Sequence, residues 1–155
     1  MNINNLTIIN KSDFPTIYLK ILTRFCLSHT PINWPYTITF KNWKIQRWSG
    51  TSWYNQCIIR MNRHLSENWP YKYTDTRISY GPTFIINNRT ELMIKLISHE
   101  LAHSFQSSLN SFSKKEFLAN DFAYSVVEKF RKVKYDIWKP IIKTLRKQKK
   151  HVAKI

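Results

Sequence analysis

Two histidines four residues apart, His99 and His103, enclose a glutamate, Glu100, inside the apolar run LMIKLISHELAHSF. On an α-helix such a spacing separates the two side chains by roughly 40° in azimuth and one turn in height, so both imidazoles project toward one shared point. Neutral imidazole nitrogen suits Zn²⁺, and a catalytic zinc takes three protein ligands while keeping one position for water. The ion lowers the pKa of that water to about 7, where a neighbouring carboxylate can take its proton and send hydroxide to a polarised carbonyl. Glu100 is placed to be that base. The alternative is a pair of ordinary helix-face histidines hydrogen-bonded to neighbours.

A third ligand is expected downstream, where the nearest acids are Glu116 and Asp121 in KKEFLANDFAYSVVEKF. Glu116 is preferred, with Asp121 as the substitute. The polar link SLNSFSKK is long enough to reverse the chain and lay a second helix antiparallel to the first. Asn120 follows one turn after Glu116, and its side-chain oxygen can accept the second N–H of a metal-bound histidine, which sets the ring tautomer. A competing role for Glu116 is the capping box Ser113-Lys114-Lys115-Glu116, in which the carboxylate binds a backbone N–H.

Together, His-Glu-Leu-Ala-His at 99–103 and Glu116-Phe117-Leu118-Ala119-Asn120-Asp121-Phe122-Ala123 resemble the ImmA/IrrE family of small zinc metallopeptidases, over roughly residues 83–124. The resemblance implies zinc on His99, His103 and Glu116, Glu100 as catalytic base, and a DNA-associated regulator as protein substrate. Ala102 stands where that family often has Gly, and Tyr124-Ser125-Val126-Val127 replaces its usual Leu-Leu-Met-Pro. The SprT-like family, whose members process DNA-bound proteins, is the second similarity. It takes a third histidine downstream, and only His151 follows here. The fold implied is α+β and zincin-like: a small mixed sheet packed on the motif helix and a second ligand-bearing helix, followed by a basic C-terminal helix. In such folds the sheet edge beside the active helix receives substrate as an extended strand.

These side chains need elements to carry them. Phe14, Ile17, Tyr18, Ile21, Leu22 and Phe25 recur at helical spacing after Ser12-Asp13-Phe14-Pro15 and predict a core-facing first helix. Tyr36, Ile38 and Phe40 alternate with threonines, and Cys57, Ile59 and Met61 alternate likewise, so both stretches read as strands. The intervening WSGTSW reads as a turn. A further strand is expected at Thr83–Ile86, and the motif helix over about Arg89 to Ser108. Tyr124, Tyr80 and His64 are candidates by residue type for stabilising the oxyanion.

Composition fits one enzyme domain at 1–134 with a basic tail at 135–155. With 155 residues, 43% of them apolar, the chain can bury a core. Gly50 and Gly81 are its only glycines, which excludes a Gly-rich phosphate cradle. Cys26 and Cys57 read as buried reduced thiols. No basic segment leads into an apolar one at the N-terminus, and no apolar stretch is long enough for a membrane span, so a cytoplasmic location is expected. The net charge of +16 calls for an acidic partner. Eleven basic residues and one acid, Asp136, lie between Lys129 and Ile155. Lys143, Arg146, Lys147, Lys149 and Lys150 are candidate contacts to nucleic-acid phosphates, with anionic lipid and plain solvation as alternatives. Five tryptophans, Trp34, Trp43, Trp48, Trp53 and Trp69, interleave with Lys41, Lys44 and Arg47; core packing is the better account of them than base stacking. The rival to an enzyme is a basic nucleic-acid-binding module whose metal site is structural or inactive.

Overall fold

A computed structural model describes residues 6–44, 47–62, 68–74, 83–106 and 111–152, with the backbone alone at 71 and 134–152. The chain is α+β. In order it runs β1 (Leu6–Lys11), α1 (Thr16–Leu27), β2 (Tyr36–Asn42), β3 (Ser49–Trp53), β4 (Gln56–Met61), β5 (Tyr71–Thr74), β6 (Thr83–Ile86), α2 (Arg89–Ser104) and α3 (Phe112–Val152). β1, β2 and β4 are parallel and β3 joins the edge antiparallel to β4, giving the order β1-β2-β4-β3; β5 and β6 form a separate antiparallel pair. The strands at 36–42 and 56–61 follow the expected alternation, with Tyr36, Ile38, Phe40, Cys57, Ile59 and Met61 all facing the core.

Two expectations need correction, and one strand was not anticipated. WSGTSW is not a turn: Ser49–Trp53 is a strand, and the reversal falls at Tyr54-Asn55, between the paired Trp53 and Gln56. The turn-like composition has a packing cause. A methyl built on Gly50 would overlap the Glu100 carboxylate, so the absence of a side chain at 50 is what lets β3 approach α2 there. The first helix faces the core as expected but buries Leu19, Leu22, Thr23 and Cys26, with Ile17, Tyr18, Ile21 and Phe25 half-buried and Phe14 preceding the helix. β1, where adjacent Ile8 and Ile9 blur the alternation, was not anticipated.

α2 is nearly encased, with Glu91 through Ala102 buried, and packs between the sheet, α1 and α3. Its N-terminus is set by Asn88, whose side chain accepts from the Glu91 N–H at 3.0 Å. It ends at Ser104, whose hydroxyl donates to the Trp53 carbonyl at 3.2 Å and meets Tyr36 Oη at 2.6 Å. α3 lies antiparallel to α2 and is pinned near its start by Glu116 and further on by Arg131, which grips Glu91 at 2.7 Å and the Ile85 carbonyl at 2.6 Å. α3 continues through Pro140 to Val152, so a second helix and a basic tail helix are one element. Among the described residues no helix is long and apolar enough to cross a membrane. Cys26 and Cys57 are buried free thiols.

Candidate metal centre

The two motif histidines lie on the last turns of α2, and the antiparallel α3 brings Glu116 across to them. Ser111, not Ser113, caps α3, since its hydroxyl accepts from the Lys114 N–H at 3.4 Å. Glu116 therefore falls in the second turn, too deep for a capping role. Its carboxylate meets both rings: Oε2 lies 3.3 Å from His99 Nε2, and Oε1 lies 3.3 Å from His103 Nε2. The two Nε2 atoms are 3.1 Å apart. These three groups could hold a metal ion. Donors at about 2.0–2.1 Å around a tetrahedral zinc are separated by roughly 3.3 Å, the length of each ring–carboxylate contact here; the two rings meet different oxygens, and with one donor atom taken from each residue the three lie within 4.8 Å of one another.

The electrostatics agree with a cation-ready triad. Burial lowers the His99 pKa to about 4, outweighing the Glu116 carboxylate that acts to raise it, so His99 is neutral and its Nε2 is available as a donor atom. Burial would push Glu116 up, but hydrogen bonds from His103 and His99 hold it well below the usual carboxylate range. The His99 Nδ1 atom is buried and has no hydrogen-bond partner among the described residues. Asn120 is fully buried one turn after Glu116. Asp121 is exposed and stands outside the cluster.

Glu100 sits beside the triad in the same cavity, of about 830 Å³. Burial raises its pKa, while the His103 charge and a hydrogen bond with Ser52 of β3 work in the other direction. The cavity wall opposite α2 is β3 itself, through Ser49, Gly50, Thr51 and Ser52, and β5 contributes Tyr73 and Thr74. β3, like β1, is paired on one side only among the described residues, and of these two edges β3 is the one that lines the cavity.

Of the three oxyanion candidates, Tyr124 stacks on Phe84 at 4.5 Å and does not line the cavity. His64 and Tyr80 lie outside the described residues, as do the side chains of Lys143, Arg146, Lys147, Lys149 and Lys150. Two features escaped the sequence reading. Lys95, one turn before His99, is 2% exposed and lines the cavity with its Nζ 3.8 Å from the centre of the Tyr73 ring. Gly50 makes room for Glu100. The signal for Lys95 was present, since 95, 99 and 103 share one helical stripe. The tryptophans divide: Trp48 is buried and donates to the Asn62 carbonyl at 2.8 Å, Trp34 stacks on Tyr54 at 5.0 Å, Arg60 lies over the Trp43 ring, and Trp53 is 49% exposed, so core packing accounts for only some of them. Comparison with protein-family models, curated proteins and solved structures finds no match to this chain.

Proposed function

We propose that the protein is a zinc-dependent endopeptidase of zincin type, with His99, His103 and Glu116 as ligands and Glu100 as general base. The observation that carries this is the convergence of two imidazoles and one carboxylate, with one donor atom of each within 4.8 Å of the others, and a second carboxylate alongside in an open cavity. The bound ion would supply polarisation of the scissile carbonyl and acidification of the attacking water. Glu100 accepts the proton of that water on its carboxylate and returns it to the departing amine nitrogen. A carboxylate raised by burial is better matched to both transfers than an exposed one. With the ion bound, the fully buried Asn120 would accept the second N–H of a ligand histidine and so keep Nε2 as the donor atom; in this structure His99 Nδ1 has no hydrogen-bond partner among the described residues. The substrate lies extended along the free side of β3, adding a strand to the sheet. The motif resemblance to the ImmA/IrrE family supports the same assignment, and makes a DNA-associated regulator the proposed class of target.

The test is metal content and hydrolysis measured together on wild type, Glu100→Gln and Glu116→Ala. Wild type retains one equivalent of zinc and cleaves; Glu100→Gln retains zinc and does not cleave. A purified protein without stoichiometric zinc defeats the assignment. The +16 charge favours a second, compatible role in which the basic end of α3 contacts nucleic-acid phosphates and brings the enzyme to its target.

A further inference from the structure

The register of the four-stranded sheet places three cations side by side. Tyr36, Ile38 and Phe40 of β2 and Cys57 and Ile59 of β4 point into the core, so their sequence neighbours point out on the opposite face. On that outer face Lys11 of β1 pairs with Lys41 of β2, and Lys41 pairs with Arg60 of β4. Adjacent strands lie about 4.8 Å apart, so the three stand in a line roughly 10 Å long. The other outward positions of these four strands are uncharged, and none of the outward residues is buried.

Like charges this close repel, and an anion above the row relieves them. A lysine on an edge strand commonly guards it against pairing with another chain, which accounts for Lys11 but not for Lys41 on the interior strand β2. Neither lysine has an ion-pair partner among the described residues, and Asp13, two residues past Lys11, pairs with none of the three cations. Arg60 has neutral partners only: it donates to Thr51 Oγ1 at 2.9 Å and lies 5.4 Å from the centre of the Trp43 ring. These contacts fix the guanidinium and leave its charge for a phosphate. Trp53 stands on the same face at the far end of β3, four residues and so about 13 Å from the charged row, next to the exposed Tyr54. Cations and an exposed ring on one surface suit a strand whose bases are unstacked, whereas a duplex hides its base faces. Thr7, Thr37, Thr39 and Thr51 fill much of the space between, which is not the apolar stripe that lipid insertion needs.

We propose that this outer sheet face binds single-stranded nucleic acid, with phosphates on Lys11, Lys41 and Arg60 and a base stacked on Trp53. The surface is separate from the basic end of α3 and from the metal centre, and it stands whether or not the peptidase assignment does. Gly50 turns toward Glu100 on the other side of β3. A bound strand therefore leaves the cavity and the free edge of β3 open to a peptide.

The probe is a fluorescein-labelled oligothymidylate of about twelve nucleotides, titrated by anisotropy against the full chain over a series of salt concentrations. Each phosphate neutralised on a single strand adds about 0.7 to the slope of log affinity against log salt, so Lys11→Gln with Lys41→Gln should lower that slope by about 1.4. Arginine at both positions should keep it. Both lysines are exposed, so the folded state tolerates either pair of changes. The same loss is expected when Lys143, Arg146, Lys147, Lys149 and Lys150 are also glutamine, because the two surfaces are separate. An abasic strand of equal length should bind wild type roughly tenfold more weakly, and Trp53→Ala should remove that difference. No binding by the intact protein, or a slope that the paired glutamines leave unchanged, overturns the proposal. Equal binding of the abasic strand overturns it too, since the row then takes any polyanion. So does tighter binding to a duplex of the same length or to phosphatidylserine vesicles at equal phosphate concentration.

Discussion

Glu116 shows how little separates a capping carboxylate from a metal ligand in a sequence, and how far apart they are in space. Five residues beyond the Ser111 cap, it reaches two imidazoles at 3.3 Å each. Replacing it with alanine should release zinc on dialysis while the fold persists. Glu100→Gln should retain zinc and lose hydrolysis by about a thousandfold, the magnitude of a lost general base. Asn120→Ala is expected to weaken zinc binding by roughly ten- to a hundredfold, read by competition with a chromogenic chelator. Gly50→Ala tests positioning rather than chemistry. Its methyl group occupies the place of the Glu100 carboxylate, and a displacement of that kind costs on the order of a hundredfold in rate. Zinc content should stay at the wild-type level, and a fully active Gly50→Ala enzyme would show that Glu100 does not work from its present place.

The elements hold the site as a clamped hairpin of helices. α2 and α3 are joined at one end by Glu116 against the histidines and toward the other by Arg131, which binds Glu91, Glu128 and the Ile85 carbonyl. Burial would raise the pKa of Glu91, but hydrogen bonds from Arg131 and Asn87 outweigh it and hold the group below its ordinary value of 4.5. The unfolded chain therefore takes up this proton first as pH falls. The stabilisation is complete above about 4.5 and is lost as pH drops through the lower folded value. Thermal melts of metal-free protein should show this acid sensitivity, and Glu91→Gln should flatten it while costing about 3 kcal/mol near neutrality. A pH dependence of melting that is the same in wild type and in Glu91→Gln would remove Glu91 from the account. The helix start was legible because Asn88 is a strong capping residue before an apolar run. β3 was not legible, because Ser, Gly and Thr are turn formers by propensity, and only the neighbouring helix explains their use in a strand.

At the scale of the molecule, charge and length dominate. α3 has 41 residues and so extends about 60 Å, whereas a compact chain of this size is roughly 40 Å across. The basic sequence thus continues the same helix that bears Glu116. If it engages nucleic acid, affinity should fall steeply between low and physiological salt. Changing Lys143, Arg146, Lys147, Lys149 and Lys150 to glutamine should flatten that slope by about four or five ions. A salt-independent interaction in the intact protein would rule out phosphate contacts as the use of this charge.

The sequence by itself determined the chemistry on offer: a helical His-Glu-x-x-His, an acid one short link later, and a strongly cationic chain. Those follow from residue type and from the 3.6-residue period, both local properties. Only the tertiary structure decided which acid reaches the histidines, which strand forms the open edge, and that a buried lysine shares the cavity. Each of those is a contact between segments distant along the chain, such as Gly50 with Glu100 or Lys95 with Tyr73. Periodicity says which way a side chain faces on its own element, and packing alone says what it meets there.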